Sequence, residues 1–308
     1  LVGVQTGDDA VLEDTPTFTF SSSDVGTDLS ITSTGYSIVG TDAGNYILTQ
    51  PTLSADIFVK SLNVTGVSGL DKIYDGTSDA SVIGVATLSG VESGDVVNLD
   101  SPSSFDFSSS DVGTDLSITS TGYSIVGTDA GNYILTQPAL SADITAKSLN
   151  VTGVSGLDKI YDGTSDASVI GVATLSGVES GDIVNLDSPS SFDFSSSDVG
   201  TDLSITSTGY SIVGTDAGNY ILTQPTLSAD IKAKSLSVTG VSGLDKIYDG
   251  TTDASVDGAA ILSGVESGDV VNLDSPSSFD FSSSDVGTDL SITSTGYSIV
   301  GTDAGNYI

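Results

Sequence analysis

Asp75-Gly76-Thr77-Ser78-Asp79 packs two carboxylates, two hydroxyls and a tight turn into one short stretch, and the same run returns at Asp162 and, with Thr252 for Ser, at Asp249. Hard cations such as calcium take several converging carboxylate and carbonyl oxygens, so this loop is a candidate structural calcium site. Its spacing is not that of an EF-hand, and Asp-Gly is also a good turn, which is the reading carried forward. Asp111 with Asp115, and Asp129 or Asp143, are weighed in the same way. No residue is therefore assigned as a metal ligand, and calcium stands as the alternative expectation.

Ser108-Ser109-Ser110-Asp111 sets a candidate nucleophile beside an acid, but the chain contains no His, so no conventional triad forms. Asn63-Val64-Thr65 and Asn150-Val151-Thr152 match the N-glycosylation pattern, one that arises readily by chance in Thr-rich sequence. Tyr74 and Tyr133 are candidates for a sugar-stacking platform. Both stand in apolar alternation, and the expectation is core packing with the hydroxyl satisfied at the rim. No acid, base and nucleophile set emerges, so no catalytic or cofactor-binding residue is assigned and the chain is not read as an enzyme.

Composition narrows the classes further. Cys, Met, Trp and His are absent, which excludes thiol catalysis, disulfides and the usual zinc and haem ligands. Against 41 acidic residues stand only 7 lysines and no arginine, for a net charge of −34. Nucleic acid and anionic bilayers are disfavoured partners, because counterion displacement needs cationic side chains. No apolar run is long enough to span a bilayer. Hydrophobic residues make up 37%, enough to build a core despite the charge. Glu13, Glu92, Glu179 and Glu266 are the only glutamates, so the charge sits on Asp, a turn former with poor helix propensity.

The elements that would position these residues recur. Lys147 minus Lys60 and Lys234 minus Lys147 both give 87, the length of a small domain and longer than solenoid repeats of roughly 20–50 residues. Residues 1–59 read as a partial copy, 60–146 and 147–233 as complete copies, and 234–308 as a copy missing its last strand. Leu1 aligns with Leu88, inside a copy, so the sequence is read as a window on a longer chain, with any export or anchoring signal outside it. The two end copies are expected to carry unpaired strand edges unless neighbours supply the missing strands.

Within a copy, short apolar runs alternate with Gly, Asp, Ser and Pro at roughly ten-residue spacing, the mark of an antiparallel sandwich. The strands expected are at Leu62 and Val64, Leu70 to Tyr74, Ser81 to Leu88, Val96 to Leu99, Ser104 to Phe107, Leu116 to Thr119, Tyr123 to Val126 and Tyr133 to Gln137. Pro138 marks an edge. Where the fourth copy substitutes Asp257, Ala259 and Ile261 for Ile170, Val172 and Thr174, the shared parity marks the outward face. Val256, Gly258, Ala260 and Leu262 are the expected inward set. The Asn150 to Ser237 difference, out of phase with Leu149 and Val151, also reads as solvent-facing. Between copies, Ser141 to Leu149 contains neither Gly nor Pro, so strand should pass almost directly into strand. The fold class expected is all-β: tandem antiparallel, Ig-like β-sandwich modules of about 87 residues forming an elongated rod. Each module should advance it by roughly 40 Å.

Ile73-Tyr74-Asp75-Gly76-Thr77, followed in order by Asp111-Val112-Gly113-Thr114 and Gly131-Asn132-Tyr133-Ile134-Leu135, resembles the YDG-type repeat domain of very large secreted bacterial surface proteins and adhesins. The signature falls on Tyr74-Asp75-Gly76, Tyr161-Asp162-Gly163 and Tyr248-Asp249-Gly250. The resemblance implies an extracellular all-β module used in tandem beside separate adhesive or anchoring domains, with no catalytic residues. Copies 60–146 and 147–233 differ only at Val96/Ile183, Ala139/Thr226 and Thr145/Lys232, which argues against division of labour. The function expected is a stalk or spacer in an adhesin or filament at the bacterial surface or in a secreted matrix, its partners the neighbouring modules of the same chain or fibre. The alternative is a repeated module binding a glycan, cell-surface or matrix polysaccharide, or a host protein by avidity, for which 6% aromatic content leaves little material.

Overall fold

The computed structural model describes residues 1–13 and 15–308, and the chain divides into two compact units, Leu1–Thr145 and Ala146–Ile308. In the first unit, residues 60–145 build two facing sheets. One is three-stranded, with the opening strand Lys60–Leu70 between Tyr133–Thr136 and Ser81–Ser89. The other orders Phe105–Phe107, Gly113–Ser120, the closing strand Leu140–Thr145 and Lys72–Ile73. A small ribbon, Asn98–Asp100 with Ser124–Val126, flanks them.

Alternation turns one set of side chains from each sheet inward. Leu62 and Val64 come from the first sheet, Ile118, Ala142 and Ile144 from the second, and all five are buried. The sheets close so tightly that a Cβ on Gly69 would stand 2.3 Å from the Ser141 carbonyl oxygen, and one on Gly156 of the second unit 2.3 Å from that of Ser228. These two glycines are spacers between sheets, chosen for their missing side chain. The fold is all-β and the only helical turns among the described residues are short 3-10 segments such as Ala130–Asn132.

Within residues 60–145 most pairings are antiparallel, and two are parallel. Tyr133–Thr136 runs parallel to the start of the opening strand, Tyr133 opposite Lys60 and Thr136 opposite Asn63, and Ile144 and Thr145 run parallel to Lys72 and Ile73. Parallel partners need a long connection, and here nearly the whole copy supplies it. Pro138 lies where the chain leaves the first sheet for the second, and Tyr133–Thr136 is an edge strand.

In the second unit, residues 147–232 repeat this arrangement, with the closing strand Leu227–Lys232 between Gly200–Ser207 and Lys159–Ile160. Residues 1–57 in the first unit and 234–308 in the second form smaller sheets, the latter only two-stranded ones. Leu149 and Val151 are buried and Asn150 and Ser237 exposed. Asp257, Ala259 and Ile261 face out, while Val256, Ala260 and Leu262 are half-buried. Gly258 departs from the inward set: it is exposed, at φ +90°, where the backbone kinks against the Gly240 carbonyl. All three positions at which copies 60–146 and 147–233 differ are exposed.

Candidate functional site: the joint between consecutive repeats

The Asp75–Asp79 loop wraps a cation that the chain supplies itself. Lys72 Nζ donates to Asp75 Oδ1 (2.8 Å), the Thr77 carbonyl (2.7 Å), Thr77 Oγ1 (3.1 Å) and the Asp79 carbonyl (3.0 Å). It also lies 5.7 Å from the centre of the Phe107 ring. Lys159 repeats the cage on Asp162, Thr164 and Asp166, and Lys246 repeats it on Asp249 and Thr251. An ammonium thus fills the oxygen cluster read from sequence as the calcium candidate. Among the described residues no group of three or more carboxylates converges on a metal-sized space.

Burial works against ionising Asp75, but hydrogen bonds from the Lys72 ammonium and from the Thr77 amide and hydroxyl outweigh it and hold the carboxyl at about 2, against an ordinary 3.8. Lys246 and Thr251 hold Asp249 at about 2 in the same way. A carboxyl whose pKa is depressed on folding stabilises the fold above its ordinary value and loses that contribution as pH falls through the folded one. Melting temperature should therefore decline between about pH 4 and pH 2, and a melt flat across that window would contradict the cage.

The other aspartates singled out serve the backbone. Asp143 Oδ1 accepts from the Asp115 amide (2.8 Å), and Asp71 Oδ1 from the Asp143 amide (2.9 Å). Asp115 itself sits at φ +51°, beside a register shift between Gly113 and Leu116, and its neighbour's carboxylate anchors that bulge. Asp129 Oδ2 accepts from the Val96 amide (2.7 Å) and from Thr128 Oγ1 (3.0 Å). Ser109 Oγ accepts from the Asp111 amide (3.0 Å), so this serine closes a local turn. Asn63 and Asn150 are exposed on their strands.

All seven lysines are ion-paired. Lys60, Lys147 and Lys234 pair with Glu92, Glu179 and Glu266, and Lys72, Lys159 and Lys246 with the caging aspartates. Lys232, one of the three differences between the complete copies, pairs with Asp158 at 2.7 Å, where its counterpart Thr145 instead donates to the Lys72 carbonyl.

Residues far apart in sequence meet where one copy joins the next. In the first unit the 3-10 turn Ala130–Asn132 presents the Asn132 side chain to the preceding copy: Oδ1 accepts from the Val25 amide (2.8 Å) and Nδ2 donates to Asp24 Oδ1 (3.2 Å). Within the second unit, Asn306 makes the same two contacts with Val199 (2.8 Å) and Asp198 (3.2 Å). There the Tyr161 ring meets Tyr307 edge-on, centroids 5.3 Å apart at 77°. Both hydroxyls donate to Asp269 Oδ2, from Tyr161 at 2.9 Å and from Tyr307 at 2.5 Å, and the Tyr307 hydroxyl accepts from the Glu266 amide (2.9 Å). Burial, and then the Asp269 carboxylate, push both phenols above their ordinary range. Tyr161, Tyr307, Phe194 and Ile231 share one buried cluster, so the core of one copy runs on into the next.

The parts that meet here, Tyr161, Asp198-Val199 and Asn306-Tyr307, are the ordered motifs noted in the sequence. A family model described as the YDG domain matches residues 1–53, 59–140, 145–227 and 232–308. The chain belongs to the YDG domain family. No curated protein and no solved structure matches it. The tyrosine of the YDG triplet at position 161 reaches beyond its own repeat, to Asp269 and Tyr307. Tyr133 does keep its hydroxyl at home, on Asp95 Oδ2 (2.5 Å). Tyr74, Tyr133, Tyr161 and Tyr220 are all buried, so these rings form no sugar-stacking platform. Asp269, missed in the sequence reading, was findable: Glu-Ser-Gly-Asp recurs in phase with the YDG triplet.

Proposed function

We propose that this chain is a spacer segment of a secreted bacterial adhesin or extracellular filament, its tandem YDG repeats holding an adhesive part away from the cell. The observation that carries this reading is the repeated joint. Asn132 and Asn306 make the same pair of contacts in separate units, and Tyr161, Tyr307 and Asp269 bury a shared patch across the boundary. A joint with buried rings and directional hydrogen bonds resists bending more than a Gly/Ser tether does. Charge supports the same role, since every lysine is paired and the remaining carboxylates leave the surface anionic and self-repelling.

Small-angle scattering tests the reading on the 308-residue chain and on versions lengthened by whole repeats. Maximum dimension should rise linearly, by roughly 40 Å per added repeat. Growth with a much weaker dependence on repeat number would mean that repeats fold back on one another, and would remove the spacer reading.

A further inference from the structure

Apart from Lys60 at one corner, the three-stranded sheet of residues 60–145 holds no charged residue, in a chain whose net charge is −34. Asp106, Asp115 and Asp143 all lie on the other sheet. On the outer face of the uncharged sheet Ile83 is 49% and Val85 77% exposed. Leu70 stands opposite Ser81 and Ile83 opposite Ser68, so Leu70 and Ile83 are diagonal neighbours in one apolar stripe. Leu157, Ile170 and Val172 repeat the stripe in residues 147–232.

The stripe borders an open edge. Among the described residues Ser81–Ser89 pairs on one side only, with Lys60–Leu70. Its inward side chains Val82, Ala86 and Leu88 are half-buried, whereas Leu62 and Val64 of the central strand are buried, so the sheet lacks cover along this edge. An edge that must stay single usually carries Lys, Pro or another charge. This one has none, and its bulge lies beyond Gly84, leaving Ser81–Gly84 in unbroken register. In the fourth copy the stripe is broken, with Asp257 and Ala259 where Ile83 and Val85 stand.

We propose that Ser81–Gly84 and Ser168–Gly171 are docking edges for a second copy of this chain. The two edges run antiparallel about a two-fold axis, so that two uncharged sheets become one. Charge selects this occupant: chains of net charge −34 repel wherever their carboxylates face each other, and can approach closely only across a face that has none. A two-fold contact needs a self-complementary patch, which an uncharged apolar stripe beside an open strand provides. Main-chain hydrogen bonds set the register, and the Ile83 and Val85 side chains of the two copies cover each other. The inference goes beyond the spacer reading and stands apart from it, because it concerns contact between chains and not the spacing of repeats within one.

The test is sedimentation equilibrium of the 308-residue chain in about 0.01 M and about 1 M sodium chloride, between which the screening length falls from about 30 Å to about 3 Å. Weight-average mass should rise with chain concentration, and association should be about tenfold or more tighter at the higher salt, the reverse of a contact made by ion pairs. Amide exchange across residues 81–84 and 168–171 should slow in the associated chain. Ile83→Asp combined with Ile170→Asp should weaken association by about tenfold or more. The fold accommodates that change, since Asp257 sits exposed at the matching position of strand Val256–Asp257. Ala139→Asp combined with Thr226→Asp adds the same charge at exposed positions where the complete copies already differ, and should keep association within about twofold at the higher salt. The proposal is overturned if the chain stays monomeric at about 1 mM in both salts. It is equally overturned if the Ile83/Ile170 variant associates like the parent, which would put the contact elsewhere, or if both double variants weaken alike, which would make net charge the sole cause.

Discussion

Tyr161→Ala should cost the second unit about 3–5 kcal/mol, the usual range for truncating a large buried aromatic to alanine. The ring is 4% exposed and packs edge-on against Tyr307, so its loss opens a cavity on both sides of the boundary between two repeats. Tyr161→Phe keeps the ring and removes the hydroxyl that bonds Asp269 and meets the Asn306 side chain, and should cost about 1–3 kcal/mol. Denaturant melts of the 308-residue chain separate these outcomes. In the alanine variant the repeats on either side of the joint should unfold in separate steps, because the shared cluster that couples them is gone. If the alanine variant melts within about 0.5 kcal/mol of the parent and as cooperatively, the joint contributes no coupling and the support for the spacer is lost.

Gly156→Ala should have the second large effect. A methyl group there would sit 2.3 Å from the Ser228 carbonyl oxygen and 2.7 Å from Ile205 Cδ1. The first obstacle is backbone of the closing strand and cannot rotate away, so the sheets must separate or the strand must shift. Overpacking of this kind costs about 1–3 kcal/mol, occasionally more. Amide exchange at Leu227–Lys232 should accelerate, and stability measured by denaturant should fall together with it. A variant with unchanged protection in that strand would show that the sheets tolerate a wider spacing.

What could be read from the sequence was what is local. Alternation placed Leu149 and Val151 inside and Asn150 outside, and copy-to-copy differences marked Asp257, Ala259 and Ile261 as outward. Gly258 broke the pattern because a two-residue period assumes an unkinked strand, and a glycine at φ +90° is where that assumption fails. The parallel pairing of Tyr133 with Lys60 could not be read at all, since hydrophobic period carries no information about strand partners. The Lys72 cage was hidden by a different cause: a loop rich in oxygens looks alike whether its cation arrives from solution or from a lysine three residues upstream. The joint lay further still, because Tyr161 and Asp269 are 108 residues apart and only the fold brings them together.

The parallel pairing of Lys60–Asn63 with Tyr133–Thr136 has a mechanical corollary. Tension entering a repeat at Lys60 acts along the axis of the opening strand, across ladder bonds that stand side by side between those four residue pairs. Such bonds are loaded in shear and give way together, whereas a hairpin pulled apart from its open end unzips one rung at a time. The first strand of each such repeat is thus set to resist rupture in the direction in which a tethered chain is stretched.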